Sequence, residues 1–187
     1  MSARLTIPQA VAALRAGGVI AYPTEAVWGL GCDPFDVAAV RRLLRIKQRD
    51  ESKGLILIAA NLAQIAPLID TDALPHERLQ DVFATWPGPH TWLLPCTPQV
   101  PPWLRGTHTT LALRVSAHPP VVALCAGFGG PLVSTSANLT GSQPARDPEA
   151  LDPALLALLD GVLEGSTGNL RAPTPICDAA SGIVLRA

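Results

Sequence analysis

The chain is poor in charge, in lysine and in aromatic rings. Of its 187 residues 16% are charged, against about 25% in ordinary globular proteins. Aromatics make up 4%, which argues against a broad RNA surface built on stacking platforms. The four cysteines, Cys32, Cys96, Cys125 and Cys177, stand far apart without a CxxC pair. A disulfide framework or zinc site is therefore not expected, and buried free thiols in a reducing cytosol are. No apolar run approaches 18 residues, and the opening MSARLTIPQA lacks the apolar core of a signal peptide. No membrane association is expected, and the location expected is cytoplasmic.

Familiar catalytic signatures are missing too. There is no G-x-x-x-x-G-K-[ST] and no G-x-S-x-G elbow. The GFGG around Phe128 follows a helical pattern instead of joining strand to helix, so it is no dinucleotide fingerprint. His76, His90, His108 and His118 lack metal-ligand spacing and read as surface or loop residues.

What remains is an apolar chain, 48% hydrophobic with mean hydropathy +0.28, long enough to close one core without staples. One domain spanning 1–187 is expected. Its net charge of −1 and pI of about 6.4 carry no global nucleic-acid signature, so any anion site must be local. Proline, at 19 residues, is about twice as frequent as usual and predicts rigid turns and few long helices.

Strand-like and helix-like patterns alternate from end to end. Thr6 caps a helix that Gly17-Gly18 stops, and GVIAY follows as a buried strand closed by Pro23. Asp36 caps a second helix over 37–47, and GLILIA is an apolar run of the kind found in strands covered on both faces. Asn61 opens a third helical segment, and Pro75 a fourth that WPGP ends. TWLLPC and TLALRVS read as antiparallel strands, 119–128 as a helix, and PLVSTSAN as a strand entering a polar loop. A helix at 148–159 and short strands at GVLEG, PICD and GIVLRA complete the chain. The fold class is α/β: one domain with a twisted sheet of mixed parallel and antiparallel strands.

The only two lysines, Lys47 and Lys53, both fall in RRLLRIKQRDESKGLILI. On a helix, Arg41, Arg42, Arg45 and Arg49 oppose an arc of Val37, Val40, Leu43 and Leu44, and the first three arginines read as its solvated face. Lys47 projects into the apolar arc, where an unpaired lysine is almost never buried. Either the helix stops by Ile46 or the ammonium enters a cavity with something negative in it. Lys53 reads on its own as a snorkelling edge residue, yet it stands at the end of a strand, where α/β sheets bind ligands.

Polar groups gather at other strand ends. Thr24 and Glu25 follow Pro23, and Gly29 and Gly31 permit close backbone approach. Thr110, Ala112 and Arg114 share one face of their strand. Ser134, Ser136 and Asn138 alternate after the PLV run, where turn chemistry is an equally good account. Lysines, arginines, hydroxyls and an amide at strand ends together suit a polyanion that carries a hydroxylated moiety.

YPTEAVWGLGC, Lys47-Gln48-Arg49 followed by SKGLILI, TLALRV, and PLVSTSANLTG occur in this order and spacing. The whole chain thereby resembles the YrdC/TsaC family of threonylcarbamoyl-AMP synthases, with K-x-R and S-x-N as the specific pairing. The resemblance implies a YrdC-like sheet around a large basic cavity. It implies formation of threonylcarbamoyl-adenylate and diphosphate from L-threonine, bicarbonate and ATP with Mg²⁺. Partner proteins then transfer the group to tRNA beside the anticodon, and a weak tRNA contact is allowed.

By matching position, Lys47 and Arg49 are the implied catalytic cations. The implied ATP-binding set is Lys47, Arg49, Lys53, Thr110, Ser136, Asn138 and Arg186. Thr24, Arg114 and Ser134 are implied to hold threonine, with no protein metal ligands. Two departures stand out: Asp50 replaces the proline common after K-x-R, and Thr174-Pro175 replaces a Ser-Thr pair. With the sequence closing just past Arg186, a short, single-domain member of the family is expected. A different class of function also fits the basic helix: a non-catalytic RNA-binding or ribosome-maturation factor.

Overall fold

The computed structural model describes residues 2–139 and 141–186. Ten strands form its sheet: β1 Arg4–Leu5, β2 Ile20–Pro23, β3 Trp28–Gly31, β4 Ile56–Ala59, β5 Thr91–Pro95, β6 Thr110–Val115, β7 Leu132–Ser136, β8 Gly161–Leu163, β9 Ile176–Asp178 and β10 Val184–Arg186. They lie in the order β1-β8-β2-β3-β7-β4-β6-β5-β9-β10. The β1/β8, β8/β2, β4/β6 and β5/β9 pairs are parallel and the others antiparallel, so the sheet is mixed as expected.

The helices are α1 Ile7–Arg15, α2 Val37–Lys47, α3 His76–Ala84, α4 Pro102–Arg105, α5 Pro119–Phe128 and α6 Pro153–Leu156. Local chemistry sets their ends. Gln9 Oε1 accepts from the Thr6 N–H at 2.9 Å and closes the first turn of α1. Asp36 Oδ1 accepts from the N–H groups of Ala38 and Ala39 at 2.9 and 3.2 Å and caps α2. The second helix runs through Lys47 and is ended by Gln48, which adopts a left-handed φ of 47°.

The α1–α5 pair packs on one face of the sheet, with Ile20, Tyr22, Ile58, Leu132 and Leu163 beneath it. Leu57, Leu113 and Val133 point the other way, into a larger core with Val40, Leu43 and Leu44 of α2 and Leu79 and Val82 of α3. Gly31 makes the first face possible. A Cβ there would stand 2.6 Å from both Tyr22 Cε1 and the Val133 carbonyl, and Tyr22 crosses that gap to donate to Val133 O at 3.0 Å.

Five elements depart from the sequence expectation. The helix expected at 148–159 is a 3₁₀ turn at 148–150 and the single turn α6. Pro153 holds Asp152 extended, which breaks any continuous helix there. The segment opened by Asn61 is two 3₁₀ turns, 62–64 and 66–68, divided before Pro67. WGLG, read only as permissive backbone, is a strand paired on both sides; β1 and α4 carry too little pattern to announce themselves. Among the described residues no helix is long and apolar enough to cross a membrane.

Candidate active site

Strand alternation builds one wall of a cavity of about 470 Å³. Thr110, Ala112 and Arg114 of β6, Ser134 and Ser136 of β7, and Ile56 of β4 line it, while Leu111, Leu113 and Val133 turn into the larger core. Ile56 and Ile58 share a face, so the cavity lies on the α1–α5 side of the sheet.

Two loops form its cationic rim. The Leu55 N–H donates to Leu104 O at 2.8 Å, and the Thr107 N–H to Ser52 O at 3.1 Å. Gly106, at φ +64°, makes this closeness possible, since a Cβ there would come within 2.2 Å of Ser52 O. The stitched loops bring Lys53 and Arg105 to the same mouth, and Arg49 is held by donation from Nη2 to Gly54 O at 3.0 Å.

Five cations, Arg49, Lys53, Arg105, Arg114 and Arg186, line the cavity, and no described lining residue is an Asp or Glu. In a chain of net charge −1 this is a local concentration of positive potential. Arg186 registers that crowding. Arg49 is drawn below the usual arginine range by burial, and Arg186 by burial and then by the charges of Arg114 and Arg49. Both remain cations at any physiological pH.

Lys47 stands immediately behind this wall. Its side chain is buried, and Nζ donates to Ser136 O at 2.7 Å, to Asn138 Oδ1 at 2.9 Å and to Asn138 O. Ser136 Oγ in turn donates to Asn138 Oδ1 at 2.5 Å, and Asn138 Nδ2 to Ser142 O at 2.6 Å. Burial, and next the Arg49 charge, bring the lysine pKa down to about 8. Three acceptors on three donors keep it an ammonium at neutral pH.

Arg114 is 5% exposed and carries a second network. Its Nη1 donates to the Thr174 hydroxyl and lies 3.5 Å from that of Thr91, while Nη2 stands 3.5 Å from Glu25 Oε2. Glu25 Oε1 accepts from Ser116 Oγ at 2.7 Å. The Arg114 Nε–H is buried without a partner. Thr24 Oγ1 donates to Val27 O at 2.7 Å, and Thr24 also lines the cavity.

Eight of the ten residues singled out from the sequence line this cavity: Thr24, Arg49, Lys53, Thr110, Arg114, Ser134, Ser136 and Arg186. Lys47 and Asn138 buttress it through the β7 turn and are not themselves part of the lining. Asp50 stays outside, exposed, capping the 51–53 turn with Oδ1 on the Ser52 N–H at 2.8 Å. Those Ser52 hydrogen bonds, first among its neighbours, hold its carboxyl below the usual range. Two arginines of the supposed solvated face are engaged: Arg42 with Asp160 at 2.6 Å and Leu158 O at 2.9 Å, Arg41 with Glu51 at 3.5 Å.

The sequence reading missed Arg105 and His108 in the lining and left Thr174 undecided. The Arg105-Gly106 pair carried no usable signal, because the loop that Gly106 lets approach is remote in sequence. All four cysteines are free; three are buried and Cys96 is half-buried. Burial, and to a lesser degree nearby acids, push up the thiol of Cys32, and burial raises that of Cys125 to about 12. Neither is a nucleophile at neutral pH.

The sequence model of one family, Sua5/YciO/YrdC, described as telomere recombination, matches residues 12–187. The chain belongs to the Sua5/YciO/YrdC family. The threonylcarbamoyl-AMP synthase of Stenotrophomonas maltophilia is 61% identical over 182 residues, covering 97% of this chain and 98% of the relative. That of Xanthomonas euvesicatoria is 59% identical over the full length of both chains. Among solved structures, E. coli YciO superposes with a TM-score of 0.85 at 29% identity, covering 100% of this chain and 95% of that one. Sua5 of P. abyssi, complexed with L-threonine, does so with a TM-score of 0.85 at 26% identity, covering 95% of this chain. This chain spans about half of that Sua5 chain, 54% of its length. The Sua5/YciO/YrdC members thus share this YrdC-like sheet.

Proposed function

We propose that this protein is a threonylcarbamoyl-AMP synthase, a nucleotidyltransferase that joins L-threonine, bicarbonate and ATP into threonylcarbamoyl-adenylate and diphosphate. The observation that carries the reading is a cavity with five cations and no acidic lining residue, with a buried arginine fork at one end. Such a lining suits a nucleotide triphosphate beside a small carboxylate.

Arg114 takes the threonine carboxylate on its planar fork, with the Thr24 and Ser134 hydroxyls beside it. Arg49 and Lys53 lie along the triphosphate, and Thr110, Ser136 and Arg186 also face the nucleotide. Lys47 and Asn138 hold the turn that presents Ser136, and Lys47 adds its charge from behind. The threonine amine attacks the bicarbonate carbon and a water is lost, giving a carbamate whose oxygen attacks the α-phosphorus, and diphosphate leaves. No enzyme nucleophile is required. Rate comes from alignment and from neutralising charge that builds on the leaving group.

A resident metal does not fit this lining. No described cluster of His, Cys, Asp or Glu can hold one, and no Asp or Glu among the described residues lines the cavity. Mg²⁺ enters as part of the nucleotide substrate, on phosphate oxygens. The product serves threonylcarbamoyladenosine modification of tRNA next to the anticodon, through separate partner proteins in the cytoplasm. The pairing of Arg41 with Glu51 and Arg42 with Asp160 weakens the reading as an RNA-binding factor, because those charges are already engaged.

Mass spectrometry of protein incubated with ATP, Mg²⁺, bicarbonate and L-threonine tests the reading. A threonylcarbamoyl-adenylate peak that requires every component, and is absent with L-serine, is expected. Absence of product, together with salt-sensitive tRNA binding, would transfer support to the RNA factor.

A further inference from the structure

The cavity must sort two anionic ligands. It has five cations, and nothing in their number tells a carboxylate from a phosphate. Their surroundings do. Among the described residues one of the five, Arg114, is salt-bridged to a carboxylate, that of Glu25. Arg49, Lys53, Arg105 and Arg186 have no such bridge. Asp50 acts on Lys53 through space, but it is exposed and committed to the 51–53 turn.

Glu25 is well placed to set this difference. It is 8% exposed and does not face the cavity, so it acts from behind Arg114. The Ser116 hydroxyl, fully buried, fixes one carboxylate oxygen at 2.7 Å and is itself held by the His118 N–H at 3.1 Å. The second oxygen stands 3.5 Å from Arg114 Nη2 and has no hydrogen-bond partner. On the opposite side, the Thr91 and Thr174 hydroxyls stand at Nη1. The guanidinium is thereby clamped between elements, while its buried Nε–H is left unused. A buried donor without an acceptor marks a place that a further acceptor completes.

We infer that Glu25 is a specificity-determining positioning residue: its buried charge offsets Arg114 and reserves that end of the cavity for a zwitterionic amino acid, leaving phosphate to the uncompensated cations. The inference rests on the proposed function, in which Arg114 receives the threonine carboxylate. A bare guanidinium in a dry pocket would attract a multiply charged phosphate more strongly than a zwitterion of no net charge. With Glu25 behind it, the pair is close to neutral at long range. Arg114 still offers directed N–H groups at short range. Threonine loses little by this, because its ammonium is repelled less; diphosphate loses most of its attraction.

Glu25→Gln tests this, because it keeps the volume and removes the charge. The threonine KM should rise several-fold, because the guanidinium loses the buried carboxylate that holds its Nη2 side in place, with the ATP KM within about twofold of wild type. Added diphosphate should compete with ATP alone in the wild type, and gain competition against threonine in Glu25→Gln. Glu25→Asp, which keeps the charge, should restore the wild-type inhibition pattern even where its threonine KM is raised. A purely structural role would not produce that split. Equal rises in both KM values, or diphosphate that never competes with threonine, would overturn the inference. Should Glu25→Gln fail to fold, Ser116→Ala tests the positioning role through the threonine KM. Freeing one carboxylate oxygen should raise the threonine KM and leave the ATP KM unchanged, and an unchanged threonine KM would count against the inference. A wild-type protein that makes no product at all would instead refute the proposed function, so the two failures are distinguishable.

Discussion

Lys47→Met is the substitution whose outcome separates a buttress from a residue that merely contributes charge. The ammonium ties the end of α2 to the turn after β7 through Ser136 O, Asn138 O and Asn138 Oδ1. Methionine keeps most of the chain length and the apolar stem but donates nothing. Each hydrogen bond to a charged group contributes about 1.5–3 kcal/mol. Part of that is offset because burial has already weakened the ammonium, lowering its pKa to about 8, and because Ser136 and Asn138 are only half-buried. A net loss of about 2–4 kcal/mol follows. For a chain of this size that lowers Tm by roughly 5–15 °C. Thermal unfolding followed by circular dichroism reads it directly, with native far-UV signal at 20 °C as the check on folding. A Tm within a degree or so of wild type would refute the buttress, and Lys47 would then be a charge donor whose contacts with the β7 turn carry no stability.

Three further outcomes follow from particular contacts. Lys47 loses its proton as pH rises through about 8, so the affinity for a non-hydrolysable ATP analogue should weaken over that range and stay constant below it. Lys47→Arg should move this alkaline limb beyond pH 10, and a limb that stays put would assign it to another group. Stability has the opposite sign: the unfolded lysine, near 10.5, binds its proton more tightly than the folded one. This group therefore favours the fold increasingly as pH rises from about 8 toward 10.5, measurable by urea midpoints. Gly106→Ala places a Cβ 2.2 Å from Ser52 O at a φ of +64°, and should cost about 1–3 kcal/mol while loosening the Lys53–Arg105 rim. Unchanged stability and ATP affinity would show that the two loops need not touch.

The fold was legible where local chemistry and periodicity agreed. Thr6, Asp36 and Gly129 mark helix ends by capping and by left-handed backbone, and the alternation of Thr110–Val115 assigns Arg114 to the cavity face. Lys47 was legible as an anomaly, a lysine in an apolar arc, but not as a buttress, because its acceptors lie 89 and 91 residues away. Backbone carbonyls as partners leave no trace in a side-chain pattern. Similar remoteness in sequence hid Glu25–Arg114 and Arg42–Asp160, whose members stand on separate elements until the sheet assembles. Arg105 was hidden differently. Its placement depends on Gly54 and Gly106 meeting across two loops, and single glycines in loops are too common to signal a contact.

The most direct test of the central claim ties the reaction to the cavity's own cations. Diphosphate release is followed continuously with ATP, Mg²⁺, bicarbonate and L-threonine, for the wild type and for Arg49→Ala. Arg49 lies at the lining, and removing one donor aimed at developing charge costs about 10²–10³ in kcat. The account predicts threonine-dependent release by the wild type and a fall of that order in Arg49→Ala, with Tm within a few degrees. Release by Arg49→Ala at the wild-type rate would contradict it, since the chemistry would then lie outside this cavity.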